Sequence, residues 1–179
     1  MSGTTTVAEV TVELADADAT RAFGTALAGL LRAGDLVVLT GDLGAGKTTL
    51  TQGLGAGLHV RGAVASPTFV IARVHPPLPR EDGSTGPALV HVDAYRLGSL
   101  DEVDALDLDT SLEESVTVVE WGAGLVESLA ADRLEIALRR PRGAGAGDPG
   151  ADHEDAAAGV RTVTVRAHGE RWRGVALPA

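Results

Sequence analysis

Residues 6 to 14, "TVAEVTVEL", alternate apolar and polar side chains, the period of a strand with one face on a core. Beyond it, Phe23, Leu27, Leu30 and Leu31 recur at three- and four-residue intervals. That spacing predicts an amphipathic helix, capped by Asp18 or Thr20 and left through Gly34 in a left-handed conformation. "DLVVLT" (35–40) is apolar without alternation and reads as a buried strand. Leu50, Leu54 and Leu58, spaced by four, predict a second helix, although Gly53, Gly55 and Gly57 each weaken it by about 1 kcal/mol. Close packing of this helix on a sheet is the expected compensation. "TFVIARV" (68–74), "ALVHVD" (88–93) and "VTVVE" (116–120) supply further strands, and "LEIALR" (134–139) pairs with "VRTVTVRA" (160–167) as a C-terminal β-hairpin. Helices interleaved with strands of both directions predict an α/β fold with a mixed central sheet.

Between these elements, "HPPLPREDGSTGPA" (75–88) is a Pro/Gly-rich surface loop. "SLDEVDALDLDTSLEES" (99–115) predicts a short helix and connection whose carboxylates form a solvated face. The stretch 141–159 is low in complexity, rich in Gly, Ala and Asp, and is expected to be a disordered insertion. Asp152, His153, Glu154 and Asp155 within it read as solvated loop rather than as metal ligands. The chain of 179 residues suits one domain, 1–179, with one substantial core, and shows no internal repeat.

Composition narrows the function classes. No apolar stretch approaches the ~18 residues that span a bilayer, and the N-terminus lacks the basic and apolar regions of a secretory signal. A cytoplasmic address and no membrane partner are expected. The absence of cysteine excludes disulfides, iron–sulfur clusters and thiolate zinc sites. A formal charge of -10 argues against a broad nucleic-acid footprint, so any dealing with RNA is expected to be indirect.

The candidate chemistry sits in "GDLGAGKT" (41–48), between a predicted strand and a predicted helix. Gly41, Gly46, Lys47 and Thr48 meet the G-x-x-x-x-G-K-[ST] pattern of a phosphate-binding loop. A helix start presents unpaired amides and about half a positive charge to an anion. Gly41, Gly44 and Gly46 let the backbone wrap a phosphate without an intervening side chain. Lys47, the only lysine in the chain, is a compact cation able to reach β- and γ-phosphates. Thr48 offers a hydroxyl to magnesium, an octahedral cation that takes several further oxygens from phosphate and water. Magnesium also wants a carboxylate, and Asp93 and Glu120 each close a predicted strand at the carboxyl edge where ligands of parallel sheets gather. His91 reads as a side chain packed on the sheet face. The chain has no asparagine and no second lysine, which excludes the N-K-x-D guanine signature and favours ATP.

"GDLGAGKTTL", "SPTF" (66–69), "HVDAYRL" (91–97) and "EW" (120–121), in this order, resemble the TsaE (YjeE) family of bacterial ATPases over roughly residues 14–140. The resemblance implies a three-layer P-loop domain that binds ATP and magnesium and hydrolyses ATP. It acts on the TsaB–TsaD complex in threonylcarbamoyladenosine modification of tRNAs reading codons that begin with A, and meets tRNA only indirectly. Carried onto this chain, Gly44, Ala45, Gly46, Lys47, Thr48 and Thr49 hold the phosphates, Thr48 and Glu120 hold magnesium, and Asp93 positions the metal or the attacking water. Thr68 resembles a γ-phosphate sensor and reads equally as a strand-start threonine; Arg96 faces phosphate, a partner or a surface ion pair. Trp121 reads as a core anchor or partner contact. The segment from Asp16 lies near adenine. The loops 76–88 and 141–159 are longer than the family's usual connections, and neither touches the phosphate motifs. A small-molecule kinase on the same fold and a nucleotide-dependent switch with little hydrolysis are the rival readings.

Overall fold

A computed structural model describes residues 5–64, 72–94, 112–120, 130–141 and 159–179. The alternating N-terminal segment forms β1, Thr6–Leu14. There follow α1 (Ala17–Ala28), β2 (Leu36–Thr40), α2 (Lys47–Leu58), β3 (Ala72–His75), β4 (Ala88–Asp93), β5 (Ser115–Glu120), β6 (Arg133–Arg139) and β7 (Arg161–His168). All seven strands among the described residues share one sheet in the order β1-β7-β6-β2-β5-β4-β3. The centre, β6-β2-β5-β4, is parallel, whereas β3 at one edge and β7 and β1 at the other are antiparallel to their neighbours. The fold is thus α/β with a mixed sheet, and the predicted hairpin is β6–β7, Arg139 opposite Thr162.

The unbroken apolar run of β2 follows from its place at the sheet centre. Val37 and Leu39 join Val116, Val118, Leu134 and Ile136 under the two helices, while Leu36 and Val38 turn to the opposite face with Val90, Val92 and Val119. A strand buried on both faces needs hydrocarbon at every position. The helix face continues onto β7 through Val163 and Val165 and takes Phe23 and Leu27 from α1 and Leu50, Leu54 and Leu58 from α2.

Two local expectations change. The cap of α1 is Asp16, whose carboxylate accepts from the Ala19 N–H at 2.8 Å, rather than Asp18 or Thr20. The helix also ends at Ala28, six residues before Gly34. Past it the bonds tighten to the i→i−3 pattern, Leu30 N–H to the Leu27 carbonyl and Leu31 N–H to the Ala28 carbonyl, and farther on the Asp35 carboxylate accepts the Arg32 N–H at 2.8 Å and takes the Arg171 guanidinium at 3.1 Å. Gly34, at φ +95°, turns the chain into β2 instead of closing α1.

The glycines of α2 are compensated chiefly by a helix, not by the sheet. A methyl on Gly53 would lie 2.2 Å from the Arg21 carbonyl oxygen, one on Gly57 2.5 Å from Ala28 Cβ, and one on Gly24 of α1 2.4 Å from the Leu50 carbonyl oxygen. The backbones of α1 and α2 meet along this seam, a separation that any larger residue would prevent. Gly55 alone faces elsewhere, towards Val60, Val64 and Leu89.

The C-terminal end closes on the start of β2. Trp172, in a 3-10 turn at Glu170–Trp172, is fully buried. The Arg171 guanidinium stacks 4.3 Å from its ring centroid and donates to the Leu30 carbonyl (2.7 Å) and to both Asp35 oxygens (3.1 and 3.2 Å). No helix among the described residues is long and apolar enough to cross a membrane.

Candidate functional site

β2 delivers the chain to the carboxyl edge of the parallel strands, and residues 41–46 turn it back into α2. Gly41, Gly44 and Gly46 sit at φ +154°, +79° and +106°. Gly44 and Gly46 lie in the left-handed region that disfavours side chains. At Gly41 the constraint is space, since a methyl would come within 2.7 Å of the Leu138 carbonyl oxygen. Gly46 occupies the N-cap of α2, and no side chain caps this helix. Its first amides therefore point into the turn, the arrangement that holds phosphate. Ala45 is buried beneath the loop, Thr48 and Thr49 are half-buried in the first turn of α2, and Leu43 at the tip is 96% exposed.

Lys47 opens the helix, yet its ammonium folds back over the loop to donate to the Gly41 carbonyl at 2.7 Å and the Asp42 carbonyl at 3.0 Å. Burial pushes its pKa below 10.5; Glu120, Asp42 and Asp93 oppose that shift by favouring the charged form. A lysine held in place but incompletely solvated is poised to exchange two carbonyls for an anion.

Asp93 and Glu120 face each other across neighbouring strands: β4 and β5 are parallel and in register, Asp93 directly beside Glu120. The carboxylates lie on the helix face of the sheet, and both act on the Lys47 ammonium. Glu120 is 3% exposed. Its Oε1 is buried without an aligned hydrogen-bond partner, 3.2 Å from Nε2 of the fully buried His91. The Glu120 carboxylate, set at this edge, is a suitable hard donor for magnesium, together with the Thr48 hydroxyl one residue after the lysine. Among the described residues no cluster of three or more His, Asp or Glu could cage a metal by itself. The donor set fits magnesium, which completes its octahedron with phosphate and water, better than a metal requiring an all-protein cage.

Of the residues expected to form the site, the structure brings together Gly41, Gly44, Ala45, Gly46, Lys47, Thr48, Thr49, Asp93 and Glu120. Asp16 lies at the neighbouring edge, its carboxylate capping α1 and electrostatically coupled to Arg161. Thr68, Arg96 and Trp121 lie outside the described residues, as do the acidic stretch up to residue 111 and the insertion from residue 142 to 158.

Two participants were not anticipated. Arg161 opens β7 and is 2% exposed. Its Nη1 donates to the Gly159 carbonyl at 2.5 Å, and its Nε would lie 3.1 Å from a methyl placed on Gly46. The hairpin thereby presses a guanidinium against the N-cap of the phosphate loop. Beside it a cavity of about 320 Å³ is lined by Thr40, Gly41, Asp42, Leu138, Arg139 and Arg140 among others. In a chain of net charge -10, this gathering of arginines at the loop favours an anionic ligand. The second participant is His91, which packs on the sheet face as expected but touches Glu120. Its place two residues before Asp93 was the available signal, since i and i+2 share a strand face.

With this geometry in place, comparison with known proteins gives a consistent answer. Residues 14–145 match the family model described as threonylcarbamoyl adenosine biosynthesis protein TsaE. The tRNA threonylcarbamoyladenosine biosynthesis protein TsaE of Streptomyces coelicolor is 61% identical over 153 residues, covering 85% of this chain and 93% of that protein. The Mycobacterium leprae protein of the same name is 54% identical over 129 residues, 69% of this chain and 78% of that one. Among solved structures, the crystal structure of Bacillus subtilis YdiB superposes with a TM-score of 0.63 at 30% identity, covering 94% of this chain and 91% of that one.

Proposed function

The chain belongs to the TsaE family of tRNA threonylcarbamoyladenosine biosynthesis, and from that premise we propose that it binds and hydrolyses ATP with magnesium, driving a cycle of the TsaB–TsaD complex. The observation that carries the reading is the convergence at one sheet edge of an uncapped α2 N-terminus, the Lys47 ammonium and the paired strand ends Asp93 and Glu120.

The amides at the start of α2 receive the β-phosphate, and Lys47 leaves the Gly41 and Asp42 carbonyls to bridge β- and γ-oxygens. Thr48 and Glu120 would hold the magnesium, and Asp93 would position the metal or the attacking water. When bound, the ion neutralises charge developing on the phosphate oxygens. Phosphoryl transfer asks the protein mainly for such positioning and charge stabilisation. Thr68 and Arg96 complete the γ-phosphate side in this reading, and Asp16 borders the adenine side.

Turnover is slow for the isolated chain and rises when TsaB and TsaD are added. The test is phosphate release from Mg-ATP by the chain alone and with both partners. Stimulation supports the reading, and no release in any assembly overturns it. Transfer of phosphate to an added metabolite would favour a small-molecule kinase. Glu120→Gln should still bind nucleotide at saturating magnesium and lose hydrolysis; unchanged phosphate release would remove Glu120 from the mechanism.

A further inference from the structure

Beneath the two acids the helix face of the sheet is hydrocarbon: Leu89, Val116 and Val118 are all fully buried. His91 stands in this layer, 0% exposed, beside Val118 and one strand step behind the Asp93–Glu120 pair. An imidazole there costs more than a leucine or phenylalanine would, because its two ring nitrogens lose water. Its polar neighbour on the adjacent strand is Glu120, Nε2 lying 3.2 Å from Oε1. Neither His91 nitrogen nor Glu120 Oε1 has an aligned hydrogen bond. The distance is already that of a hydrogen bond, so a small rotation of either group completes it.

We infer that His91 is a positioning residue for Glu120: its Nε2–H engages Oε1 and fixes the carboxylate so that the second oxygen is turned to the magnesium of bound Mg-ATP. The inference rests on the magnesium role proposed for Glu120. A buried carboxylate oxygen without a hydrogen bond is costly, and apo hydrogen bonds at catalytic sites commonly tighten when the ligand arrives. Groups that orient a metal's ligand from behind typically change metal affinity by 10–100-fold when removed. His91 touches neither nucleotide nor metal in this scheme and acts through Glu120 alone.

Two substitutions separate the donor from the space it fills. His91→Phe keeps a ring and loses the N–H, whereas His91→Gln keeps an N–H donor and loses the ring. Calorimetric titration of ATP across a magnesium series, with magnesium-free ATP as reference and a thermal melt of each variant, gives a readout independent of turnover. His91→Phe should need at least ten times more magnesium to reach wild-type ATP affinity, with magnesium-free affinity unchanged, and His91→Gln should recover most of the loss. Each expectation stands alone if one variant fails to fold. The inference is overturned if a folded His91→Phe shows the wild-type magnesium requirement, if His91→Gln is no better than His91→Phe, or if magnesium-free and magnesium-dependent affinities fall together with melting temperature. If the wild type itself binds ATP without regard to magnesium, the proposed role of Glu120 fails first and takes this inference with it.

Discussion

Gly53→Ala sets two physical effects of opposite sign against each other. Gly53 lies inside α2, where alanine is favoured over glycine by about 1 kcal/mol on helix propensity alone. The added methyl, however, would stand 2.2 Å from the Arg21 carbonyl oxygen and 2.9 Å from its carbon. Carbon and oxygen approach to about 3.3 Å even in favourable C–H···O contacts, so the helices must part by about 1 Å. Parting is resisted because the clash is with backbone and because Gly24 and Gly57 sit on the same seam. It also loosens Leu27, Leu50 and Leu54, each 0% exposed. Overpacking of this kind costs about 1–3 kcal/mol, and the upper end applies where no side chain can rotate away. Subtracting the propensity gain leaves a destabilisation of about 2 kcal/mol, or a melting temperature lower by about 4–8 °C for a chain of this length. Urea and thermal unfolding followed by circular dichroism measure both. Gly55→Ala is the control, since its methyl meets the side chains of Val64 and Val60 at 2.9 and 3.4 Å; it should cost less than Gly53→Ala. A Gly53→Ala protein as stable as wild type, or more so, would show that propensity wins and refute the seam.

Lys47→Met removes a cation that burial holds below pKa 10.5. Between the lowered folded value and the unfolded value the unfolded chain binds more protons, so wild-type stability relative to Lys47→Met should rise with pH in that window. Urea midpoints from pH 7 to 10.5 measure the difference, and parallel profiles would contradict the buried-lysine argument. Gly46→Ala combines φ +106° with a 3.1 Å approach to Arg161 Nε; we expect stability to fall by about 1–3 kcal/mol and ATP affinity at least tenfold, and wild-type titration curves would show that the loop tolerates a side chain. Arg171→Met leaves the 4%-exposed Asp35 without its cation and should cost about 3 kcal/mol, seen as a lowered denaturation midpoint. Asp35 precedes β2 and the phosphate loop follows it, so ATP affinity of the folded variant should not change; a parallel loss would mean that the Arg171–Asp35 pair reaches the site.

How much was legible depends on how far apart the cooperating residues lie in sequence. The phosphate loop is eight consecutive residues whose functions follow from backbone geometry, so "GDLGAGKT" states its own purpose. Strand ends at Asp93 and Glu120 were readable because apolar runs stop there, and parallel sheets collect such ends at one edge. The cap of α1 was misplaced by two to four residues because Asp16, Asp18 and Thr20 all have capping side chains, and only the path of β1 into the helix selects Asp16. The exit of α1 was misplaced because Leu30 and Leu31 keep the apolar spacing while their amides already bond in the tighter i→i−3 pattern, and the segment after them is held by Asp35, whose partner Arg171 lies 136 residues away.

The same distance explains why the supports of the site were harder to see than the site. Gly53 in isolation is a weak helix residue; beside Arg21 it is the only residue that fits. Arg161 in isolation is one of several C-terminal arginines; paired in register through β7 with Leu14 and set against Gly46, it bounds the phosphate loop. His91 in isolation is a buried polar residue to be satisfied somehow, and register with β5 supplies Glu120 as its neighbour. In each case the local pattern poses a cost, a propensity lost or a polar group buried, and the tertiary contact that offsets it comes from another element. An unexplained local cost in a strongly patterned segment is therefore a pointer to long-range function. By that criterion the glycines of α2 and the histidine of "HVD" were the positions to question first.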